Sequence, residues 1–163
     1  MLMKFVEVDR EGSFSLKGDL RILYSTMMFT RCEIVQGAPF ALSVGLQIAA
    51  RYSAVRRQFA NVDAQKGVER RIIDYQTQQF KLLTAMAKAF AMIAGSRGLI
   101  NLHTQLMEDI NKDDFSKLEL VHHLSSGYKA MFTKEAYENL EKLRQSCGGA
   151  GFSCFSGLPE FIQ

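Results

Sequence analysis

Only two prolines, Pro39 and Pro159, occur in the 163 residues of this chain. Because proline kinks or ends a helix, long stretches without it can form long helices. Apolar residues recur every three or four positions through most of the chain, which is the period of one helix face. Short strand-forming runs with regularly spaced turns are not seen. The pattern predicts an all-α protein.

The first two predicted helices are long. The first begins near Asp19, whose carboxylate can accept hydrogen bonds from the free N–H groups of the first turn, and it continues toward Phe59. Pro39 lies inside this segment and predicts a kink or a split. The second helix is predicted from about Val68 to about Asn111, with a broad apolar face.

The third helix is predicted to begin at Ser116-Lys117-Leu118-Glu119. This is a capping box, in which the serine and glutamate side chains each satisfy a free terminal N–H. The helix ends at the glycine turn of residues 147–151, because glycine is common just past a helix end. Three such helices predict a helical bundle over residues 18–163. They leave apolar surface open, so we expect a fourth helix or a partner to cover it.

Residues 1–17 are predicted to be a short extended lead-in to the bundle. The partial alternation of residues 1–8 is followed by Asp9-Arg10-Glu11-Gly12-Ser13, which is typical of a turn. One strand or a hairpin is therefore expected here.

Composition and spacing exclude several classes of function. The net charge is +3, and the basic residues are interleaved with acidic and apolar ones, so nucleic-acid binding is not expected. No stretch of about 18 apolar residues occurs, so no membrane span is expected. Three cysteines without a Cys-x-x-Cys spacing favour a reducing compartment. The single Glu119-x-x-His122 pair lacks the second pair that a di-iron bundle needs, so no metal site is expected.

Three segments together resemble acyl-CoA oxidases. They are Arg51-Tyr52-Ser53-Ala54-Val55-Arg56-Arg57-Gln58-Phe59, then Ile73-Asp74-Tyr75-Gln76-Thr77-Gln78-Gln79-Phe80-Lys81-Leu82, and the glycine turn Cys147-Gly148-Gly149-Ala150-Gly151-Phe152-Ser153 with Ser156-Gly157-Leu158-Pro159 after it. Their order and spacing agree with that family over nearly the whole chain. Any one segment alone is a weak signal, whereas the three together are specific.

The resemblance implies a helical domain of the acyl-CoA dehydrogenase and oxidase superfamily, C-terminal to a middle β domain of which residues 1–17 are the remnant or linker. The family desaturates fatty acyl-CoA: a glutamate removes a proton beside the thioester carbonyl, FAD accepts hydride, and in oxidases O2 then becomes H2O2. That glutamate belongs to a motif downstream of the glycine turn. The chain stops at Gln163, so no catalytic residue is predicted, and the chain alone is expected to be incomplete and inactive.

The same resemblance assigns binding residues. Arg56 is matched to the arginine that meets the FAD pyrophosphate across a dimer interface, which suits a guanidinium. Further FAD contacts are expected from Phe59, Gln76, Gln145 and Gly149. Arg31 is matched to an arginine near bound coenzyme A, and Met28 stands where the family often has aspartate. A homodimer and a peroxisomal location are also implied.

Three functions stay open from the sequence. The chain can be a segment of an acyl-CoA oxidase, toward which the glutamine-rich Tyr75–Gln79 stretch leans. It can instead be a segment of an acyl-CoA dehydrogenase, which passes electrons to a protein acceptor. The third alternative is a helical assembly module without catalytic activity.

Overall fold

Three long helices carry most of the chain. The computed structural model describes residues 6–16, 21–60 and 69–162. The elements, in chain order, are β1 (Val6–Val8), β2 (Phe14–Leu16), α1 (Arg21–Val55), β3 (Arg57–Ala60), β4 (Glu69–Arg71), α2 (Gln76–Ile110), α3 (Leu118–Ser146) and α4 (Gly149–Phe152). Single 3₁₀ turns lie at Ile72–Asp74, Cys154–Ser156 and Pro159–Phe161. The predicted all-α bundle is confirmed.

The core lies between the three long helices. Each contributes buried residues at helical spacing: Met28, Cys32, Val35, Leu42 and Ala49 from α1; Leu82, Ala85, Ala89, Met92, Leu99 and Leu106 from α2; Val121, Phe132, Ala136, Leu140 and Leu143 from α3. Burial of one large apolar side chain stabilises a fold by about 1.5–3 kcal/mol. Glycines permit close approach: a Cβ at Gly45 would overlap Leu140, and one at Gly95 would lie 3.0 Å from Phe132 Cζ.

Of the kink or split predicted at Pro39, the split is wrong. Helix α1 is one continuous helix through this residue, which is fully buried. Pro39 lacks one backbone donor, but the buried residues on both sides of it, Val35 and Leu42, pack in the same core. Tertiary packing therefore outweighs the loss of one hydrogen bond within the helix.

The predicted boundary between the first two helices is also wrong. Helix α1 ends at Val55, and α2 begins only at Gln76. Between them, β3 and β4 pair as an antiparallel hairpin, with Arg57 opposite Arg71 and Ala60 opposite Glu69. Because a hairpin is made by pairing two distant short segments, a helical period read along one segment does not reveal it. Val68, the predicted helix start, lies outside the described residues.

The predicted capping box of α3 does not form. The N-cap residue is Lys117, and its side chain makes no cap hydrogen bond. The N–H of Ser116 instead donates to the Asp114 carboxylate at 2.9 Å. The helix consequently starts one residue later than a serine cap would require, and Glu119 falls at the second helical position rather than the third. The predicted end of α3 at the glycine turn is confirmed.

The lead-in is a hairpin, as predicted. Strands β1 and β2 pair antiparallel, with Val6 opposite Leu16. The Asp9 carboxylate accepts from the N–H groups of Glu11 and Ser13 at 3.0 and 2.7 Å, which stabilises the turn. The origin of this segment in a middle β domain stays a prediction. The predicted Asp19 cap lies outside the described residues.

The apolar character of helix α1 is relevant to the expectation that the chain has no membrane span. Its segment Met27–Val55 has the length and mean hydropathy of a membrane-crossing helix, although the core helix of a soluble protein passes the same test. The residues of α1 that face α2 and α3 are buried in the core. Packing within the bundle accounts for those apolar residues, and the absence of a membrane span stays a prediction.

His103 makes the stability of the bundle depend on pH. It lies in α2 beside the Phe29 ring, is only 8% exposed, and its Nε2 has no hydrogen-bond partner among the described residues. Burial lowers the pKa of His103 below its usual 6.5. In the unfolded chain the imidazole then binds a proton more readily than in the fold, so stability is lost as pH falls from 6.5 toward the lower pKa of the folded state.

We therefore expect His103→Phe to reduce the decline in the free energy of unfolding below pH 6.5. Urea unfolding at a series of pH values measures this. His123→Phe, at an exposed position of α3, is the control and should leave the decline unchanged. An identical pH dependence in wild type and His103→Phe would contradict the interpretation.

Candidate functional site

A cleft opens where the C-terminal ends of α1 and α3 meet the N-terminal end of α2. Its volume is about 580 Å³. The lining residues come from these helix ends, from β3 and from the glycine turn: Tyr52, Arg56, Gln58, Phe59, Ile72, Tyr75, Thr77, Gln78, Lys81, Gln145, Ser146, Cys147, Gly148 and Gly149. All three segments that carry the family resemblance therefore meet in one place.

Arg56 lies between α1 and β3, and its backbone is held from both sides. Its N–H donates to the Tyr52 carbonyl at 2.8 Å, and its own carbonyl accepts from Ile72 N–H at 2.9 Å. Its side chain is exposed and makes no hydrogen bond or ion pair with the part of the chain that the structure describes. The backbone of Arg56 is fixed, while its guanidinium makes no hydrogen bond or ion pair within the described part of the chain. This combination suits an arginine that binds an external anion.

Phe59 has an unusual backbone conformation. Its φ is 61°, in the left-handed region that L residues rarely adopt, and it lies in an irregularity of the β3–β4 pairing. Tyr75 Oη donates to the neighbouring Gln58 carbonyl at 2.8 Å, and Arg57 Nη1 donates to the Glu69 carbonyl at 3.0 Å. These contacts hold the strained segment, and the Phe59 side chain is left 69% exposed at the cleft. Strain of this kind is concentrated at functional sites.

The Gln78 amide connects the three helices beneath the cleft. Its Nε2 donates to Ser53 Oγ of α1 at 2.8 Å and to the Ser146 carbonyl of α3 at 3.4 Å. Ser53 in turn donates to the Ala49 carbonyl at 2.7 Å. Gln78 and Ser53 are both buried, so this polar connection fixes the relative positions of the helix ends that carry the lining residues.

The glycine turn forms one wall of the cleft. Gly148 has φ 58° and ψ −138°, a conformation that favours glycine. A Cβ at Gly149 would meet no atom of the described residues within 4 Å, so the space in front of it is open on their side. Gly151 has a different constraint, because a Cβ there would overlap the Arg144 carbonyl oxygen.

Burial raises the pKa of the neighbouring Cys147 thiol, which disfavours a nucleophilic thiolate.

Gln145 is held at the mouth of the turn by Glu141. Gln145 Nε2 donates to Glu141 Oε1 at 2.8 Å, and the same carboxylate receives two hydrogen bonds from the Arg144 guanidinium. Arg144, with Gln145, lowers the pKa of Glu141 to about 2. Glu141 therefore stays ionised at neutral pH, and it fixes the orientation of the Gln145 amide.

The electrostatics of the cleft favour an anion. Arg56 and Lys81 line it, and no aspartate or glutamate is among the described lining residues. The α2 N-terminus, which carries partial positive charge, opens onto the same space through Thr77. Polar amides and the rings of Phe59 and Tyr75 complete the lining. A dinucleotide, with a diphosphate between flat ring systems, has matching chemistry.

The structure brings together four of the predicted site residues and leaves two apart. Arg56, Phe59, Gln145 and Gly149 line the cleft. Gln76 is exposed at the first position of α2 and does not line it. Arg31 is remote, since at 1.5 Å per residue it lies roughly 36 Å along α1 from Val55.

Sequence reasoning missed Gln78 and Lys81. A signal for Gln78 was available, because it precedes the buried residues Leu82 and Ala85 by four and seven positions and so shares their face. No sequence pattern singles out the exposed Lys81, which is recognised only by its position at the cleft. Among the described residues, no group of three histidine, cysteine, aspartate or glutamate side chains could hold a metal ion.

Comparison with known proteins decides the family. Residues 24–163 match the family model of the acyl-CoA oxidase C-alpha1 domain. This chain belongs to the acyl-CoA oxidase family. It is 39% identical over 164 residues to peroxisomal acyl-coenzyme A oxidase 1 of Arabidopsis thaliana, and 38% identical over 159 residues to that of Rattus norvegicus. These alignments cover 99% and 98% of the chain but 24% of each oxidase, so the chain spans about a quarter of their length.

Solved acyl-CoA oxidase structures have the same arrangement of helices. Acyl-CoA oxidase-2 of Caenorhabditis elegans, described as bound with FAD, ascaroside-CoA and ATP, superposes with a TM-score of 0.87 at 36% identity and covers 99% of this chain and 24% of its own. Arabidopsis thaliana acyl-CoA oxidase 1 gives a TM-score of 0.85 at 38% identity, with 99% and 24% covered.

Gln78→Leu should destabilise the oxidase domain by about 1–3 kcal/mol, because it removes the polar connection between α1, α2 and α3 and leaves buried polar groups with fewer partners. Urea unfolding of the purified chain measures this. The matched control is Gln79→Leu at the next, exposed position, where the change should stay within about 0.5 kcal/mol. Equal effects of the two substitutions would argue against the structural role of Gln78.

Proposed function

We propose that this chain is the helical part of a flavin-dependent acyl-CoA oxidase and contributes FAD-binding and subunit contacts. The whole enzyme would convert fatty acyl-CoA to trans-2-enoyl-CoA and reduce O2 to H2O2, as a step of fatty acid β-oxidation in the peroxisome. The observation that carries the proposal is the cleft, in which the uncommitted Arg56 guanidinium lies beside the exposed Phe59 ring and the open glycine turn. The match to the acyl-CoA oxidase C-alpha1 domain favours an oxidase over a dehydrogenase.

The cleft residues fit the parts of FAD. Arg56 would bind the pyrophosphate, because guanidinium pairs with phosphate oxygens in a bidentate manner. Phe59 would pack near the adenine, which fits its exposed ring. Gln145 would offer its oriented amide, and the backbone at Gly149 can approach the cofactor because no side chain intervenes. Gln76 would reach the same dinucleotide from the first turn of α2, outside the cleft.

FAD supplies the redox chemistry of the reaction when it is bound, as cofactors do in general. The residues of this chain bind and orient it, and none of them is assigned as the catalytic base. Arg31 would act elsewhere, as a contact for the coenzyme A part of the acyl-CoA. A structure in the same family is described as containing both FAD and ascaroside-CoA.

We also propose that the chain pairs with a second copy of itself through an apolar strip on α2. The strip consists of Phe80, Leu83, Met86 and Phe90, spaced along one helix face and all exposed, with Phe80 at 73% and Phe90 at 67%. Exposed apolar patches of this kind mark interaction sites. The strip begins beside Lys81 at the cleft, so a second copy bound there would lie close to the proposed FAD site.

Arg56→Ala should weaken FAD binding by the purified chain about ten- to hundredfold, because a hydrogen bond to a charged group contributes about 1.5–3 kcal/mol and each 1.4 kcal/mol is tenfold in affinity. Flavin absorbance after incubation with FAD and desalting, followed by titration calorimetry, measures this. Arg56→Lys should bind with intermediate affinity, since lysine keeps the charge but loses the bidentate geometry.

The matched control is Arg51→Ala, at an exposed position of α1 outside the cleft. It should bind FAD like the wild type. An equal loss in Arg51→Ala would mean that only general positive charge matters. A wild-type chain that stays colourless would count against the proposed FAD contacts of the cleft.

The double substitution Leu83→Glu and Phe90→Glu should convert a dimer to a monomer, because it places charges in the apolar strip. Size-exclusion chromatography with light scattering measures this. Met131→Glu, at an exposed apolar position of α3, is the control and should leave the mass unchanged. A monomeric wild type, or a dimer that survives the double substitution, would refute the proposed role of the strip.

A further inference from the structure

Two side chains of α3 hold the Arg31 guanidinium. Arg31 Nη1 lies 2.9 Å from His122 Nδ1 and donates to Ser126 Oγ at 3.2 Å. The partners are 91 and 95 residues from Arg31 in the chain, so the contact exists only because α1 and α3 pack side by side. Arg31 is half-buried at this position.

The chemistry of the contact fixes the state of His122. A guanidinium has only N–H donors, so the Nδ1 atom of His122 must accept. An accepting Nδ1 means a neutral imidazole with its proton on Nε2. Neither this imidazole nor the Ser126 hydroxyl adds a negative charge, so these two contacts orient the guanidinium without neutralising it.

Helix α1 itself supplies no such partner one turn before Arg31. That position is Met28, which is fully buried in the core and has no carboxylate to offer. Two acceptors that orient Arg31 come from α3 instead. They are His122 and Ser126, which lie one and two turns into that helix.

We propose that His122 and Ser126 are positioning residues that hold Arg31 ready for the phosphate groups of coenzyme A. The inference rests on the proposed substrate contact of Arg31. Arginine loses much side-chain freedom when it is fixed on a ligand, and acceptors that fix it beforehand reduce that cost of binding. Removal of the acceptors should therefore weaken coenzyme A binding without affecting the FAD cleft at the far end of α1.

The first test is spectroscopic. In ¹⁵N NMR of the labelled chain, His122 should show Nδ1 as the unprotonated nitrogen and Nε2 as the protonated one. Arg31→Ala should change this signature, because it removes the donor to Nδ1. A tautomer with the proton on Nδ1 in the wild type would overturn the inference, since that nitrogen could not accept from Arg31.

The second test measures binding of free coenzyme A by titration calorimetry. Arg31→Ala should weaken it about ten- to hundredfold and His122→Leu about three- to tenfold. His122→Asn should restore most of the affinity, because the amide oxygen of asparagine can accept where Nδ1 does. His123→Leu, which changes the adjacent exposed histidine, should bind like the wild type, and FAD binding should be the same in all variants.

The outcomes separate the inference from the proposed function. If Arg31→Ala weakens binding but His122→Leu does not, the positioning role is refuted and the substrate contact stands. Failure of His122→Asn to restore affinity also counts against it, since a purely structural role would predict that result. If the wild type does not bind coenzyme A, or Arg31→Ala binds as well, the substrate contact is refuted and the inference falls with it. The FAD titration is judged independently.

Discussion

The buried Gln78 amide is the interaction on which the site depends. It joins Ser53 of α1 to the end of α3 beneath the cleft. The core determines that three helices lie side by side, but apolar contacts alone tolerate small shifts along the helix axes. A directional hydrogen bond between buried groups does not, because an unpaired partner would be costly. The ends of the three helices are therefore held in one register, and the cleft forms there.

The two ends of the bundle are suited to different tasks. At one end, Arg56 and Lys81 line an open cleft whose described lining has no acidic side chain, next to a strained Phe59 and a glycine turn. Toward the other end, Arg31 is oriented by acceptors from α3. The length of α1 separates the proposed cofactor contact at Arg56, just past the C-terminal end of the helix, from the proposed substrate contact at Arg31. Packing between α1 and α3 keeps both in place.

Several errors of prediction have a common physical origin. Pro39 does not split α1, the capping box before α3 does not form, and a hairpin replaces two predicted helix ends. In each case a local preference is outweighed: by core packing around Pro39, by the Asp114 carboxylate that takes the Ser116 N–H, and by pairing between β3 and β4. Core packing and strand pairing are tertiary interactions, whereas the Asp114 contact is a competing local turn between residues two apart. Boundaries and caps are the features that such competition changes most easily.

The sequence by itself determined the class of fold and the family. Apolar residues at helical spacing over long stretches, with only two prolines, specify three helices. Three spaced segments together identify an acyl-CoA oxidase domain. It also indicated Arg56, Phe59, Gln145 and Gly149, which the fold brings to one cleft. Only the tertiary structure decided that Gln76 lies outside that cleft, that Gln78 connects the helices, and that His122 holds Arg31. These facts depend on contacts between residues far apart in the chain, and no local pattern encodes such a distance.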